Sequence, residues 1–245
     1  MEKIEQTHMA LILCIETGTD ICSVALARGG RLISLRESTQ GRDHARQLGV
    51  YVEEILHEND IRADELDAVA VGKGPGSYTG LRIGVSLAKG MCYALQIPLI
   101  AVGSLEALVR VAAEDDEAGI LDIDDFASAC LCPMIDARRM EVYAQVFDGR
   151  LRPLTEVAAS VVTPDSFSEF VSGPGEFVIF GGGAAKCLDV LPKGRVKWVD
   201  VTPSARGLVT PAQEAFDAGR FEDIAYFEPF YLKDFVVTES KKKFF

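Results

Sequence analysis

The stretch GKGPGSYTGLRIG, residues 72–84, contains five glycines in thirteen positions, between a short apolar run and a helical pattern. A glycine turn between a strand and a helix can bind phosphate, because the helix N-terminus offers free backbone N–H groups to an anion. The spacing matches neither common phosphate-binding motif. A Walker A loop requires Lys and Ser or Thr where Leu81 and Arg82 stand, and the stretch contains no G-x-G-x-x-G. A weaker phosphate site at this turn stays open.

The glycines continue past the turn into the predicted helix. Gly76, Gly80, Gly84 and Ala88 recur every fourth residue, which places them in one row along a helix. Each interior glycine costs a helix about 1 kcal/mol relative to alanine, so the row indicates that another segment approaches closely. That segment is either this chain's own sheet or first helix, or a helix of a second protein chain.

Polar residues occupy another face of this helix, and we expect them to fix the register of a partner helix. Arg82, Ser86 and Lys89 lie on that face, while Leu48 and Tyr51 of the preceding helix would add apolar contacts. Contact with a second chain therefore predicts an interface formed by Leu48, Tyr51, Gly76, Ser77, Tyr78, Thr79, Gly80, Arg82, Gly84, Ser86, Ala88 and Lys89.

The elements around the glycine stretch follow the plan of one lobe of an actin-like or ribonuclease-H-like fold. Apolar runs bounded by turn residues predict strands, and apolar residues at helical spacing predict helices. In chain order these are strands at 10–16, 22–27 and 31–37, a helix at 43–59, a strand at 67–72, a helix ending near 96 and a strand at 99–102.

The second half repeats strands and helices on a similar plan, so we predict an α/β protein of two similar lobes, each a mixed sheet with helices. The expected elements are strands at 129–136, 140–147 and 177–183, the last running into a glycine turn, and helices from Thr163 and over 204–219. The predicted boundaries are an N-terminal lobe at 1–103 with a returning helix near 203–220, a C-terminal lobe at 104–202 and a tail at 226–245.

Composition argues against several classes of function. The formal net charge is −12, so a basic nucleic-acid surface is not expected, and any contact with RNA would depend on a partner. The six cysteines and three histidines lack the spacing of a metal site, and we expect most cysteines to be buried free thiols. The apolar run from Met9 to Ile15 is too short for a signal peptide or a membrane span, which predicts a cytoplasmic protein.

Four segments together resemble the TsaB (YeaZ) family: ILCIETGTDICSVAL, GKGPGSYTGLRIG, IDARRMEVY at 135–143 and EPFYLKDF near the end. The resemblance covers nearly the whole chain and keeps its order. It implies the actin-like, sugar-kinase-like fold. It also implies a subunit of the bacterial machinery that makes threonylcarbamoyladenosine at position 37 of tRNAs reading ANN codons.

In that family the TsaB-type subunit is a non-catalytic partner that activates the transferase, TsaD. It pairs with TsaD through the two helices of its N-terminal lobe, supports recruitment of the ATPase TsaE and reaches tRNA only indirectly. The resemblance implies no cofactor on this chain, ATP and metal on the partner subunits, and no membrane. Without TsaD, the same surface could close a homodimer. The alternative is an actin-like-fold enzyme acting alone, either a small-molecule kinase or a glycoprotease-like hydrolase.

The same fold family suggests a second site, a nucleotide cleft that is retained or vestigial. Kinases of this fold use a carboxylate at the end of the first strand and a glycine turn on the adenosine side. The matching residues here are Glu16, Thr17, Gly18, Gly181, Gly182 and Gly183. We favour the interpretation that the Glu16 carboxylate bonds its own turn, and we predict no catalytic or metal-binding residue. Asp136 and Arg138 would form either a lobe-linking ion pair or a functional contact, and the sequence leaves both open.

Overall fold

The first lobe contains a five-stranded sheet in the order β3-β2-β1-β4-β5. We describe it from a computed structural model, which covers residues 9–38 and 43–233. The strands are β1 (Leu11–Glu16), β2 (Cys22–Arg28), β3 (Arg31–Ser38), β4 (Ala68–Gly72) and β5 (Leu99–Val102). The first three pair antiparallel, whereas β4 pairs parallel with both β1 and β5. Each strand lies within one residue of its predicted bounds.

The two faces of this sheet carry side chains of different size, because neighbouring residues of a strand point to opposite faces. Leu13 and Ile15 of β1 belong to the core that the sheet forms with α1 (His44–Glu58) and α2 (Tyr78–Leu95). On the opposite face, small residues such as Ala70 allow the returning helix α5 (Val209–Asp217) to pack closely. Both faces of the first lobe are therefore covered by helices.

The second lobe contains a six-stranded sheet in the order β11-β10-β6-β7-β9, with β8 beside β6. Strand β10 lies parallel to β6 and β11, whereas β6 and β7 are antiparallel. The two lobes are thus mixed sheets with helices, which confirms the predicted actin-like fold. The strands are β6 (Cys130–Asp136), β7 (Glu141–Ala144), β8 (Phe147–Asp148), β9 (Ala158–Val161), β10 (Phe177–Phe180) and β11 (Val196–Trp198).

Two predictions in the second half of the chain need correction, and one further helix is present. The strand expected at 140–147 breaks between β7 and β8, because the Val146 N–H donates to the Thr155 hydroxyl at 2.9 Å. The helix expected from Thr163 is reduced to α4 (Ser168–Val171). Helix α3 (Ser104–Glu117) was not predicted, and it packs against both the second sheet and the returning segment.

The first half of α2 lies directly against the backbone of the turn that follows β1. A Cβ atom on Gly80 would lie 2.0 Å from the Thr17 carbonyl oxygen, and one on Gly76 would lie 2.2 Å from that of Gly18. The Thr17 hydroxyl donates to the Gly80 carbonyl at 2.8 Å, and the Ser77 N–H donates to the Gly18 carbonyl at 2.6 Å. The segment that approaches the row of glycines is therefore part of this chain.

This contact corrects the predicted partner interface. A Cβ atom on Gly84 would lie 2.3 Å from the Thr17 hydroxyl oxygen, and Ala88 is completely buried in the first-lobe core. Leu48 is also part of that core, with 2% of its surface exposed. The residues removed from the interface are Gly80, Gly84 and Ala88, which are buried inside the lobe, and Gly76, which packs on the Gly18 backbone. Leu48 keeps a place in the wall of a surface groove.

The side chain of Glu16 is buried beneath the contact between α2 and the turn that follows β1. Its Oε1 accepts the Gly18 N–H at 2.7 Å, and its Oε2 accepts the Ser104 hydroxyl at 3.0 Å. The bond to Gly18 confirms the favoured interpretation of a carboxylate bonded to its own turn. Burial raises the pKa of Glu16, and these hydrogen bonds offset the shift only in part.

We expect opposite effects from the same substitution at two glycines of α2. Gly80→Ala forces a methyl group against the Thr17 backbone, so it should destabilise the fold by about 1–3 kcal/mol. Gly90→Ala adds a methyl group where no described atom lies within 4 Å, so it should stabilise the helix by about 0.5–1 kcal/mol. Chemical denaturation of the two purified variants measures both effects, and a change of the same sign would contradict this packing.

The raised pKa of Glu16 predicts a pH dependence of stability that Glu16→Gln removes. The protonated carboxyl stabilises the fold below the ordinary glutamate pKa of about 4.3, and that contribution is lost as the pH rises through the higher pKa of the folded state. Glutamine does not ionise, so the free energy of unfolding of the variant, relative to the parent, should increase from pH 4 to pH 8. Denaturation at several pH values tests this, and a difference independent of pH would refute it.

Candidate functional site

A groove runs on the surface of the first lobe between the N-terminal halves of α1 and α2, and it encloses about 670 Å³. Leu48 contributes to its wall although the residue belongs to the core. The groove combines small side chains, which allow a close approach, with apolar ones, which gain from burial. The other lining residues are Ala45, Gly49, Tyr78, Thr79, Arg82, Ile83, Ser86 and Leu87.

Besides Leu48, seven residues of the predicted interface remain, and they differ in their access to this groove. Thr79, Arg82 and Ser86 line it and are exposed, and Tyr78 lines it while half-buried. The exposed Ser77 caps α2 instead, since its hydroxyl accepts the Gly80 N–H. The remaining two residues, both half-buried, are Tyr51 and Lys89.

Arg82 is held at the edge of the groove by two tyrosines. Its guanidinium carbon lies 4.1 Å from the centroid of the Tyr78 ring, and its Nε donates to the Tyr231 hydroxyl at 3.2 Å. The centroids of the two tyrosine rings are 4.8 Å apart. The cation is therefore fixed by stacking and by one neutral acceptor.

Tyr231 belongs to a C-terminal segment, residues 227–233, that connects the two lobes. Phe227 packs on the first-lobe core, and its carbonyl accepts the Lys89 ammonium at 2.8 Å. The Phe230 N–H donates to the Lys73 carbonyl at 2.7 Å. Lys233 then pairs with Glu141 on β7 of the second lobe. Residues 234–245 of the predicted tail lie outside the described residues.

A larger cleft of about 770 Å³ lies between the lobes. Gly18 and the start of α2 line it on one side, Gly181 and Gly182 on the other, and residues 230–233 extend along it. The other residues predicted for a nucleotide cleft do not line it, since all three are buried: Glu16, Thr17 and Gly183.

Asp136 lies in the wall of the cleft, on the side of the second lobe. Asp136 accepts the backbone N–H of Arg138 at 3.0 Å and pairs with Lys186, so it makes contacts inside the second lobe. The lobe-linking ion pair of Asp136 and Arg138, one of the two alternatives left open, is not formed among the described residues. Nowhere in residues 9–38 and 43–233 do three His, Cys, Asp or Glu side chains form a group that could hold a metal ion. Five of the six cysteines are buried and all are free thiols, as expected.

Sequence reasoning missed four of the nine residues that line the groove. A signal existed for the helical residues, because Ala45 and Gly49, like Ile83 and Leu87, are four residues apart and share a helix face. Tyr231 gave no such signal, since 149 positions separate it from Arg82. Among the helices of the described chain, none has the length and apolarity that a membrane span requires.

Comparison with known proteins finds relatives along most of the chain. A family model described as "TsaD: tRNA N6-adenosine threonylcarbamoyltransferase" matches residues 36–233. The Escherichia coli tRNA threonylcarbamoyladenosine biosynthesis protein TsaB is 29% identical, over 94% of this chain and 97% of that protein. The Haemophilus influenzae protein of the same name is 34% identical, over 58% of this chain and 56% of that protein.

A solved structure extends the similarity to three dimensions. YeaZ from Pseudomonas aeruginosa superposes with a TM-score of 0.76 at 28% identity, covering 91% of this chain and all of that one. The chain belongs to the TsaB (YeaZ) branch of the family that the TsaD model describes.

Proposed function

We propose that this chain is a subunit of the machinery that makes threonylcarbamoyladenosine in tRNA, and that it acts there as a non-catalytic partner of the transferase, TsaD. Its relatives from Haemophilus influenzae and Escherichia coli are named as proteins of the biosynthesis of this nucleoside. By analogy, the tRNA position is adenosine 37 of tRNAs that read ANN codons. One structural observation carries the partner role: the exposed groove between α1 and α2.

The groove suits a helix of a partner protein. Ala45, Gly49 and Ser86 have side chains small enough to let a helix backbone come close, while Ile83 and Leu87 offer apolar surface between them. A second copy of the chain can use the same surface when the transferase is absent, which would give a homodimer.

The interior of the first lobe supports a role without catalysis. Glu16 stands where kinases of this fold hold a catalytic carboxylate, but it is 1% exposed and accepts two hydrogen bonds from its own chain. A substrate in the cleft would not reach it. We accordingly assign ATP and metal chemistry to the partner subunits, including the ATPase TsaE, and only indirect contact with tRNA to this acidic chain.

A bulky residue in the groove should prevent complex formation without unfolding the lobe. Ser86 is exposed and lines the groove, so Ser86→Trp should weaken binding to the purified transferase subunit by at least about 10-fold. Ala94→Trp is the matched control, because Ala94 is exposed on the same helix but does not line the groove. Calorimetric titration measures the binding, and thermal denaturation confirms that both variants fold.

Two results would contradict the proposal. If the parent chain does not bind the transferase, the partner role fails, and equal binding by Ser86→Trp would move the interface elsewhere. The alternative of an enzyme acting alone predicts ATP turnover or peptide hydrolysis by the isolated chain. Assays of the isolated chain before the transferase is added separate the two functions.

A further inference from the structure

We propose that Arg82 selects the partner helix by receiving a carboxylate that this helix carries next to its small and apolar contact residues. The inference rests on the proposed partner role and adds the chemistry of the occupant. The occupant of the groove is then an amphipathic helix of the partner. This helix carries an aspartate or glutamate at the end that lies beside the N-termini of α1 and α2. Tyr78 and Tyr231 act as positioning residues for the cation.

The Arg82 side chain is organised before any partner arrives. Stacking on Tyr78 fixes the plane of the guanidinium group, and the bond to the Tyr231 hydroxyl uses its Nε. The two terminal nitrogens are the pair that can donate in parallel to both oxygens of a carboxylate. A side chain that is already fixed loses less conformational freedom on binding than a mobile arginine, which favours affinity.

No carboxylate within residues 9–38 and 43–233 lies in salt-bridge contact with Arg82. The hydrogen bond to Tyr231 is the main cause that raises the pKa of Arg82, and Glu228, on the C-terminal segment, adds to it only at longer range. Other cations of the first lobe are engaged differently: Arg36 pairs with Glu54 and Glu58. The charge of Arg82 is therefore available to an oxygen acceptor from outside.

The local field favours a negative charge at the same place. Ala45 and Thr79 are the second residues of α1 and α2, so both helices begin at the end of the groove where Arg82 lies. The partial positive charge at the N-terminus of α2 then adds to that of the guanidinium, whereas Asp43 at the N-cap of α1 offsets the charge of that helix end. Once a helix excludes water from the apolar groove, these interactions strengthen, because the local dielectric constant falls.

Binding of the purified transferase subunit at several salt concentrations tests the inference. Arg82→Met keeps the apolar stem but removes the charge, and it should weaken binding by at least about 10-fold and flatten the salt dependence. Arg82→Lys should restore the salt dependence but only part of the affinity, since lysine lacks the planar fork. Tyr231→Phe should cost a smaller factor, about 3-fold, because the ring stays in place.

The matched control is Arg46→Met, which removes the same charge from an α1 arginine that is 84% exposed and lies 3.8 Å from Asp43. It should bind like the parent chain, and thermal denaturation should show that every variant is folded. A charge reversal, Arg82→Glu, should regain binding when one acidic residue on a helix of the transferase is changed to arginine.

Different results overturn different claims. If the parent binds and Arg82→Met binds equally well with the same salt dependence, the carboxylate inference is wrong and the partner role stands. Equal losses in Arg82→Met and Arg46→Met would also refute it, because net charge alone would explain them. If no acidic residue on the helices of the transferase rescues Arg82→Glu, the carboxylate does not exist there. Absence of binding by the parent chain defeats both proposals together.

Discussion

The contact of α2 with the backbone of Thr17 and Gly18 is the constraint on which the first lobe depends. Glycine at position 80 brings the helix so near that no side chain fits between, and hydrogen bonds then link the helix to the turn in both directions. The same contact seals Glu16 between β1, β4 and the start of α3. The carboxylate at the position of the kinase carboxylate thereby becomes a buried hydrogen-bond acceptor that links these elements. Burying this ionisable group away from water costs free energy.

One face of α2 packs on the turn at Thr17 and Gly18, so only its other face is available for contacts outside the lobe. The glycine row points into the lobe, so the proposed partner contacts would fall to residues that line the groove between α1 and α2, among them Thr79, Ile83 and Ser86. Hydrogen bonds to the turn at Thr17 and Gly18 anchor the N-terminal end of α2, where the groove begins. An anchored wall loses little conformational freedom on binding, which would favour the partner helix proposed above.

The sequence was informative wherever a local pattern had one structural solution. Apolar runs with turn residues fixed the strands of the first lobe to within one residue. The glycine row correctly indicated a close approach, but spacing alone cannot tell which backbone approaches, and the turn at Thr17 lies 63 positions from Gly80. Helix α3 was not predicted, although its seven buried residues, including Leu105, Val109 and Ala112, lie opposite a polar face at helical spacing.

Apolar packing in the groove is not directional, so it cannot by itself set the register of a partner helix or reject a similar one. A charge at a fixed position can do both, provided that it is not already neutralised. Much of the basic surface of this acidic chain is paired, as Lys197 is with three carboxylates. Arg82 is the contrasting case, because aromatic rings hold the guanidinium without cancelling its charge. Tyrosines therefore fix the position of the guanidinium as a salt bridge would, but they do not neutralise it. Its charge would remain available to the proposed partner.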